Sequence, residues 1–292
     1  MAGSGDQWDL GLTLGGVPQP PEDQARAAVI PAPLEATVSY GRGTAAGPLA
    51  ILRASCHMEL YDELLESEPH RLGIRTRPFL DMNGEPGECL RRIEAAVEGE
   101  LEAGRLPVVL GGEHTVSLGA LRALVKRRGP DFTVVVLDAH LDLRDQYQGE
   151  PLSHACVMRR ALELGLGLRH LGTRSLSAGE AAFIREQGLR PFWAREVGGD
   201  PHWVQRFLQG IQGPVYISLD LDGLDPAFMP ATGTPEPGGL DWHQVSHWLQ
   251  ALCRRCPVVG MDLVELAPIP GQPAWDFTAA RLLYRALGLA LG

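Results

Sequence analysis

An α/β fold with a mostly parallel central sheet is predicted by three features of this 292-residue sequence. Beyond residue 26, short apolar runs alternate with longer amphipathic stretches, the rhythm of repeated strand–helix units. No linker rich in Pro, Gly or Ser divides the middle and no internal repeat is evident, so a single domain over residues 27–292 is expected. Acidic and histidine residues gather just past the ends of three apolar runs, where an open parallel sheet receives its ligands.

The elements follow in order. Residues 1–26 read as an N-terminal extension: Asp6, Asp9, Glu22 and Asp23 lie in a stretch, Met1 to Gln24, that lacks the positive segment of a signal peptide, so a cytoplasmic protein is expected. Strands are predicted at Ala28–Pro31, Pro107–Leu110, Phe132–Leu137, Arg169–Gly172, Val215–Leu221 and Val258–Leu266. Apolar spacing of three and four predicts helices near Pro86–Ala103, Val116–Arg128, Leu152–Glu163, Ala178–Gln187, Pro201–Gln209, Trp242–Cys253 and Phe277–Ala290. Two Gly- and Pro-rich stretches, Tyr40–Gly47 and Gly223–Gly239, read as long loops of the kind that carry function.

Composition narrows the chemistry. With 26 basic and 36 acidic side chains the formal net charge is −10, which disfavours nucleic acid and suits a small cationic substrate. No apolar run approaches the roughly 20 residues that span a bilayer, so no membrane partner is expected. Five mostly isolated cysteines indicate reduced thiols, and the lone CxxC, Cys253 and Cys256, has no second pair to complete a zinc site. Lys126 is the only lysine, which argues against lysine-based covalent chemistry.

Pro107–Leu110 is followed by Gly111, Gly112, Glu113 and His114; Phe132–Leu137 by Asp138, Ala139, His140, Leu141 and Asp142; Val215–Leu219 by Asp220, Leu221 and Asp222. The period-two alternation of an extended chain would turn Asp138, His140 and Asp142 to one side, and likewise Asp220 and Asp222. With His114 this makes four carboxylates and two imidazoles, too many for one tetrahedral zinc and rich enough in oxygen for two harder divalent ions of the manganese type.

On these motifs the chain resembles the ureohydrolases, the arginases and agmatinases. The resemblance rests on GGEH (Gly111 to His114), DAHLD (Asp138 to Asp142) and SLDLDGLDPAFMPATGTPEPGG (Ser218 to Gly239), and it covers nearly the whole chain. It implies a three-layer α/β/α domain with an eight-stranded sheet, assembly as a trimer or hexamer, and two manganese ions. His114, Asp138, Asp142 and Asp220 would hold one ion and Asp138, His140, Asp220 and Asp222 the other. A hydroxide between the ions would attack a guanidinium carbon, with Asp142 hydrogen-bonded to it. His154 would supply or relay the proton to the leaving amine, Glu265 would hold the guanidinium, and Thr234 would line the same pocket. Glu113 and Thr115 depart from the family's usual Asp and Ser.

Arginases read the arginine α-carboxylate and α-amine through an Asn- and Ser-bearing loop and an aspartate. Here those segments read LRDQYQGEPLSH (Leu143 to His154) and GTRSLSAGE (Gly172 to Glu180), with Ser175 in place of that aspartate. Together with ATVSYGRGTAAGPLAILRAS (Ala36 to Ser55) this resembles the agmatinase branch, so hydrolysis of agmatine to putrescine and urea is the expected reaction. Guanidinobutyrate, guanidinopropionate, arginine or guanidine are alternative substrates, with Arg144 a potential carboxylate clamp if it faces the pocket. Two other readings stand beside these: Cys156, near His154, as the nucleophile of an amidine hydrolase, and a non-catalytic metal-binding paralogue.

Overall fold

Eight parallel strands form one sheet in the order β2-β1-β3-β8-β7-β4-β5-β6. They are β1 (Ala27–Ala32), β2 (Ile74–Thr76), β3 (Leu106–Gly111), β4 (Thr133–Leu137), β5 (Gly167–Thr173), β6 (Phe192–Trp193), β7 (Val215–Asp220) and β8 (Val258–Val264). The structure, a computed structural model, describes residues 11–292; Asp6 and Asp9 of the acidic N-terminus lie outside them. Residues of the expected extension that are described lie against the sheet edge. Leu14 is buried, its peptide N–H donates to Thr76 Oγ1, and Glu22 pairs with Arg75 and Arg77.

The helices are α1 (Gly47–Ser55), α2 (Pro86–Glu102), α3 (Val116–Arg128), α4 (Val157–Glu163), α5 (Ala178–Glu186), α6 (Ala194–Val197), α7 (Trp203–Leu208), α8 (Trp242–Arg255) and α9 (Ala274–Leu291). Two hydrophobic cores, one on each side of the sheet, define the three layers. Val29, Val108, Leu110, Val135 and Leu137 face α1, α7, α8 and α9, whereas Ile30, Val109, Val134 and Val136 face α2, α3 and α4. The inner strands β1, β3, β4 and β7 are covered on both faces, so they carry apolar residues at consecutive positions while their side chains still alternate between the two cores. α8 shows the complementary helical pattern: Val245, Trp248, Leu249 and Leu252 are buried, and Asp241 and Gln244 close a capping box at its start.

The six predicted strands are all present. The two unpredicted ones, β2 and β6, are edge strands of three and two residues, too short for periodicity to register. α1 falls at the end of the stretch read as the Tyr40–Gly47 loop and was not anticipated. The predicted helix from Leu152 begins instead as a 3-10 turn, His154–Cys156, before α4. Among the described residues no helix is long and apolar enough to cross a membrane.

β7 and β8 insert between β3 and β4, so the carboxyl ends of these four central strands stand side by side. This places the segments after β3, β4, β7 and β8 around one cleft.

Candidate active site

The segment after β3 turns because Gly112 permits it: a Cβ there would meet the Leu34 carbonyl oxygen at 2.1 Å. Gly112 and Glu113 donate their peptide N–H groups to the carbonyls of Ala32, the last residue of β1, and Leu34, two residues beyond it, which delivers His114 into the cleft ahead of α3. A second close approach is made by Gly223, where a Cβ would lie 2.7 Å from Leu137 Cγ. That contact brings the 3-10 turn Leu221–Gly223 onto the end of β4 and sets Asp222 beside Asp138.

His114 Nδ1 lies 3.3 Å from Asp138 Oδ2, 2.9 Å from Asp142 Oδ2 and 3.3 Å from Asp220 Oδ2. His140 Nδ1 lies 3.0 Å from Asp222 Oδ2 and 3.5 Å from Asp138 Oδ1. Two sets of metal-ligating atoms result, His114–Asp138–Asp220 and Asp138–His140–Asp222, with Asp138 common to both. Asp142 reaches the first set through His114; Asp220, expected to bridge, belongs to the first set alone.

The convergence has a different local cause from strand alternation. β4 stops at Leu137, the segment beyond it bends, and Asp142 adopts φ +52°. Likewise β7 ends at Asp220, whose Oδ1 accepts the Asp222 peptide N–H in the following turn. Glu265, the first residue past β8, has φ +67°, and its peptide N–H donates to the Gly112 carbonyl. Left-handed backbone at these two non-glycine residues, both lining the cleft, is strain held by the surrounding packing.

The donor set fits divalent cations. Tyr216 and Ser218 donate their hydroxyl hydrogens to buried Asp262 at 2.7 Å, so Ser218 Oγ can only accept from His114 Nε2–H, 2.8 Å away. The Nδ1 lone pair then faces three carboxylates, and buried Nδ1 and Asp138 Oδ2 have no hydrogen-bond partner. A buried group of acceptors without donors requires a cation. With protons alone, the site is tense: burial and then Asp138 push Asp142 up to about 7, and burial, Asp222 and Asp138 hold Asp220 well above the carboxylate range. Burial opposes charge on His140, yet Asp222 and Asp138 outweigh it and raise the imidazole to about 12.

The remaining predicted residues line the same cleft of ≈ 250 Å³. Glu265 Oε1 accepts the His114 peptide N–H at 2.7 Å, and burial together with Glu113 raises the carboxyl well above its usual range. Thr234 Oγ1 donates to Asp222 Oδ2 at 3.3 Å. His154 has Thr37 Oγ1 at 2.7 Å from Nδ1 and Ser39 Oγ at 2.8 Å from Nε2; burial, with His114 and His140 nearby, lowers it to about 4. Arg144 faces the mouth, stacked 5.1 Å over the Tyr147 ring with Nε 3.8 Å from Glu180. Ser175 donates to Glu236 at 2.8 Å.

Sequence reasoning missed the supports: Thr37 and Ser39 beneath His154, Ser218 and Asp262 behind His114, and Arg174. The Arg174 guanidinium donates to the carbonyls of Asp222, Leu224 and Glu236 and so ties down the Gly223–Gly239 loop. The arginine directly after the β5 end was the available signal. The cysteine-nucleophile alternative loses its physical basis, because Cys156 is fully buried and burial raises its thiol to about 11.

The chain belongs to the arginase family, which it matches over residues 25–288, and it is therefore a hydrolase of the ureohydrolase type. It is 41% identical over 271 residues to the N(1)-aminopropylagmatine ureohydrolase of Synechocystis sp., covering 90% of this chain and 89% of that protein. It is 33% identical to the agmatinase of Pyrococcus horikoshii, covering 88% of this chain and 89% of that one. The agmatine ureohydrolase of Thermoplasma volcanium superposes with a TM-score of 0.84 at 31% identity, over 93% of this chain and 92% of that structure.

Proposed function

We propose that the protein hydrolyses a guanidino amine, agmatine or its N(1)-aminopropyl derivative, to urea and the corresponding polyamine, with two manganese ions in the cleft. The observation that carries this reading is the pair of imidazole–carboxylate sets sharing Asp138, with Glu265 on the wall beside them. His114, Asp138, His140, Asp142, Asp220 and Asp222 would hold paired divalent ions, whose chemistry would be to lower the pKa of water from 15.7 toward about 7 and so make hydroxide available near neutral pH.

The chain's own groups do the rest. The Glu265 carboxylate accepts guanidinium N–H bonds and sets the carbon over the nucleophile, with Thr234 on the same wall. Water oxygen adds to that carbon, the bond from carbon to the alkyl-bearing nitrogen breaks, and the nitrogen leaves as an amine once it gains a proton. His154, neutral at pH 7 because burial holds it near 4, relays that proton rather than storing it. Two relatives named for agmatine-type substrates support a cationic tail, as does the net charge of −10. Arginine fits less well: Ser175 stands where an aspartate would read the α-amine, and its hydroxyl is committed to Glu236. Assembly as a homo-oligomer, trimer or hexamer, in the cytoplasm belongs to the same reading.

The test is urea release by manganese-loaded protein from agmatine, N(1)-aminopropylagmatine, arginine, 4-guanidinobutyrate, 3-guanidinopropionate and guanidine, with and without chelator. Chelator-sensitive turnover favouring one of the two guanidino amines is expected. Preference for a guanidino acid would overturn the substrate assignment and make Arg144 the carboxylate reader, and silence on every compound with metal bound would favour a non-catalytic paralogue.

A further inference from the structure

Glu113 is a buried carboxylate, 2% exposed, that the reaction above leaves without a task. Its Oε2 accepts the Thr37 peptide N–H at 2.6 Å, and its Oε1 accepts the hydroxyls of Thr37 at 3.0 Å and Thr115 at 2.6 Å. A peptide N–H can only donate, so the group facing it is an acceptor, and the hydroxyl hydrogen of Thr37 is drawn to Glu113.

That commitment fixes what lies on the other side of Thr37. Its Oγ1 retains its lone pairs, which receive the His154 peptide N–H at 3.1 Å and the ring Nδ1 at 2.7 Å. Nδ1 must therefore carry hydrogen, and Nε2 is left bare to accept the Ser39 hydroxyl at 2.8 Å. The Tyr147 ring stands edge-on to the imidazole, centroids 5.7 Å apart at 77°, and limits its rotation. The hydrogen bond made by one nitrogen of a histidine selects which nitrogen is free to exchange a proton.

We propose that Thr37, oriented by Glu113, is a positioning residue that holds His154 in the Nδ1–H form, so that Nε2 takes up and releases the proton of the leaving amine. This rests on the ureohydrolase reading. The transfer balances as one proton accepted at Nε2 and the same proton delivered to the departing nitrogen, with Nδ1–H unchanged throughout.

The experiment compares manganese-loaded wild type, Thr37→Val and Thr37→Ser, with kcat and KM measured separately and metal content determined for each. Thr37→Val should lower kcat by about 10- to 100-fold with little change in KM or metal content, a share of the roughly 10²–10⁴-fold that a placed proton donor contributes. Thr37→Ser keeps the hydroxyl and should restore most of it, which a packing role would not explain. In parallel, ¹⁵N NMR of histidine-labelled metal-free protein reads the ring directly: His154 should be Nδ1–H in wild type and lose that preference in Thr37→Val. Wild-type kcat in Thr37→Val, or an Nε2–H ring in wild type, overturns the proposal. If wild type releases no urea from any guanidine, the proton-transfer role falls with the functional reading, and an Nδ1–H ring would then locate the failure in that reading and not in the Glu113–Thr37–His154 hydrogen bonds.

Discussion

At the scale of single residues, two histidines are held neutral well into the acid range. His154 and buried His170 are both lowered to about 4, first of all by burial, and His170 Nε2 bonds the Leu141 carbonyl at 3.1 Å. The unfolded chain protonates these imidazoles near 6.5 and the folded chain does not until about 4, so the stability they contribute is present above 6.5 and drains away between 6.5 and 4. His114 and His140 are raised instead and, with the raised carboxyls of Asp142, Asp220 and Glu265, bind protons in the folded state first and oppose that slope. The two lowered imidazoles are therefore read one by one: in ¹⁵N NMR of metal-free protein, His154 and His170 should still be mostly neutral at pH 5, where a free imidazole is mostly protonated. Full protonation of either ring between pH 7 and pH 5 would contradict the burial of both neutral imidazoles. The residues at the strand ends were legible in the sequence because acids and histidines are conspicuous after apolar runs. Thr37, Ser218 and Asp262 were not, since a hydroxyl or carboxylate acquires its role only from a partner tens of residues away, and for Thr37 and His154 that separation is 117 residues.

At the scale of elements, the site depends on neighbouring strands presenting side chains to one another. Ser218 on β7 and Asp262 on β8 pair in register and pass their hydrogen bonds to His114 after β3. Ser218→Ala would leave the His114 Nε2–H without an acceptor and free the ring to adopt the wrong tautomer. Manganese affinity, measured by competition with a chelator, should drop by about 10- to 100-fold while the fold, read by circular dichroism, persists. Unchanged affinity would mean that the orientation of His114 is set by its carboxylate neighbours alone. The long strands were readable from apolar runs and the long helices from their spacing. The edge strands β2 and β6 were not, being too short to show a period, and neither was the left-handed backbone at Asp142 and Glu265, which tertiary packing imposes against local preference.

At the scale of the whole molecule, the strand order explains why residues from positions 114 to 265 meet. Inserting β7 and β8 between β3 and β4 sets four carboxyl ends in one row, an order that local sequence pattern does not encode. Two cores, one on each face, hold that row rigid, while the cleft itself remains crowded with acids and lined by lone pairs. Such a molecule is built to be completed by cations, and because Asp138 belongs to both ligand sets its loss should affect both ions together. The most direct test is a count of manganese ions per chain in wild type and Asp138→Asn, by metal analysis after equilibrium dialysis. Two ions per chain in wild type, with both sites failing together in Asp138→Asn, is the predicted result; a wild type that binds no more than one ion, or a variant that keeps two, would contradict it.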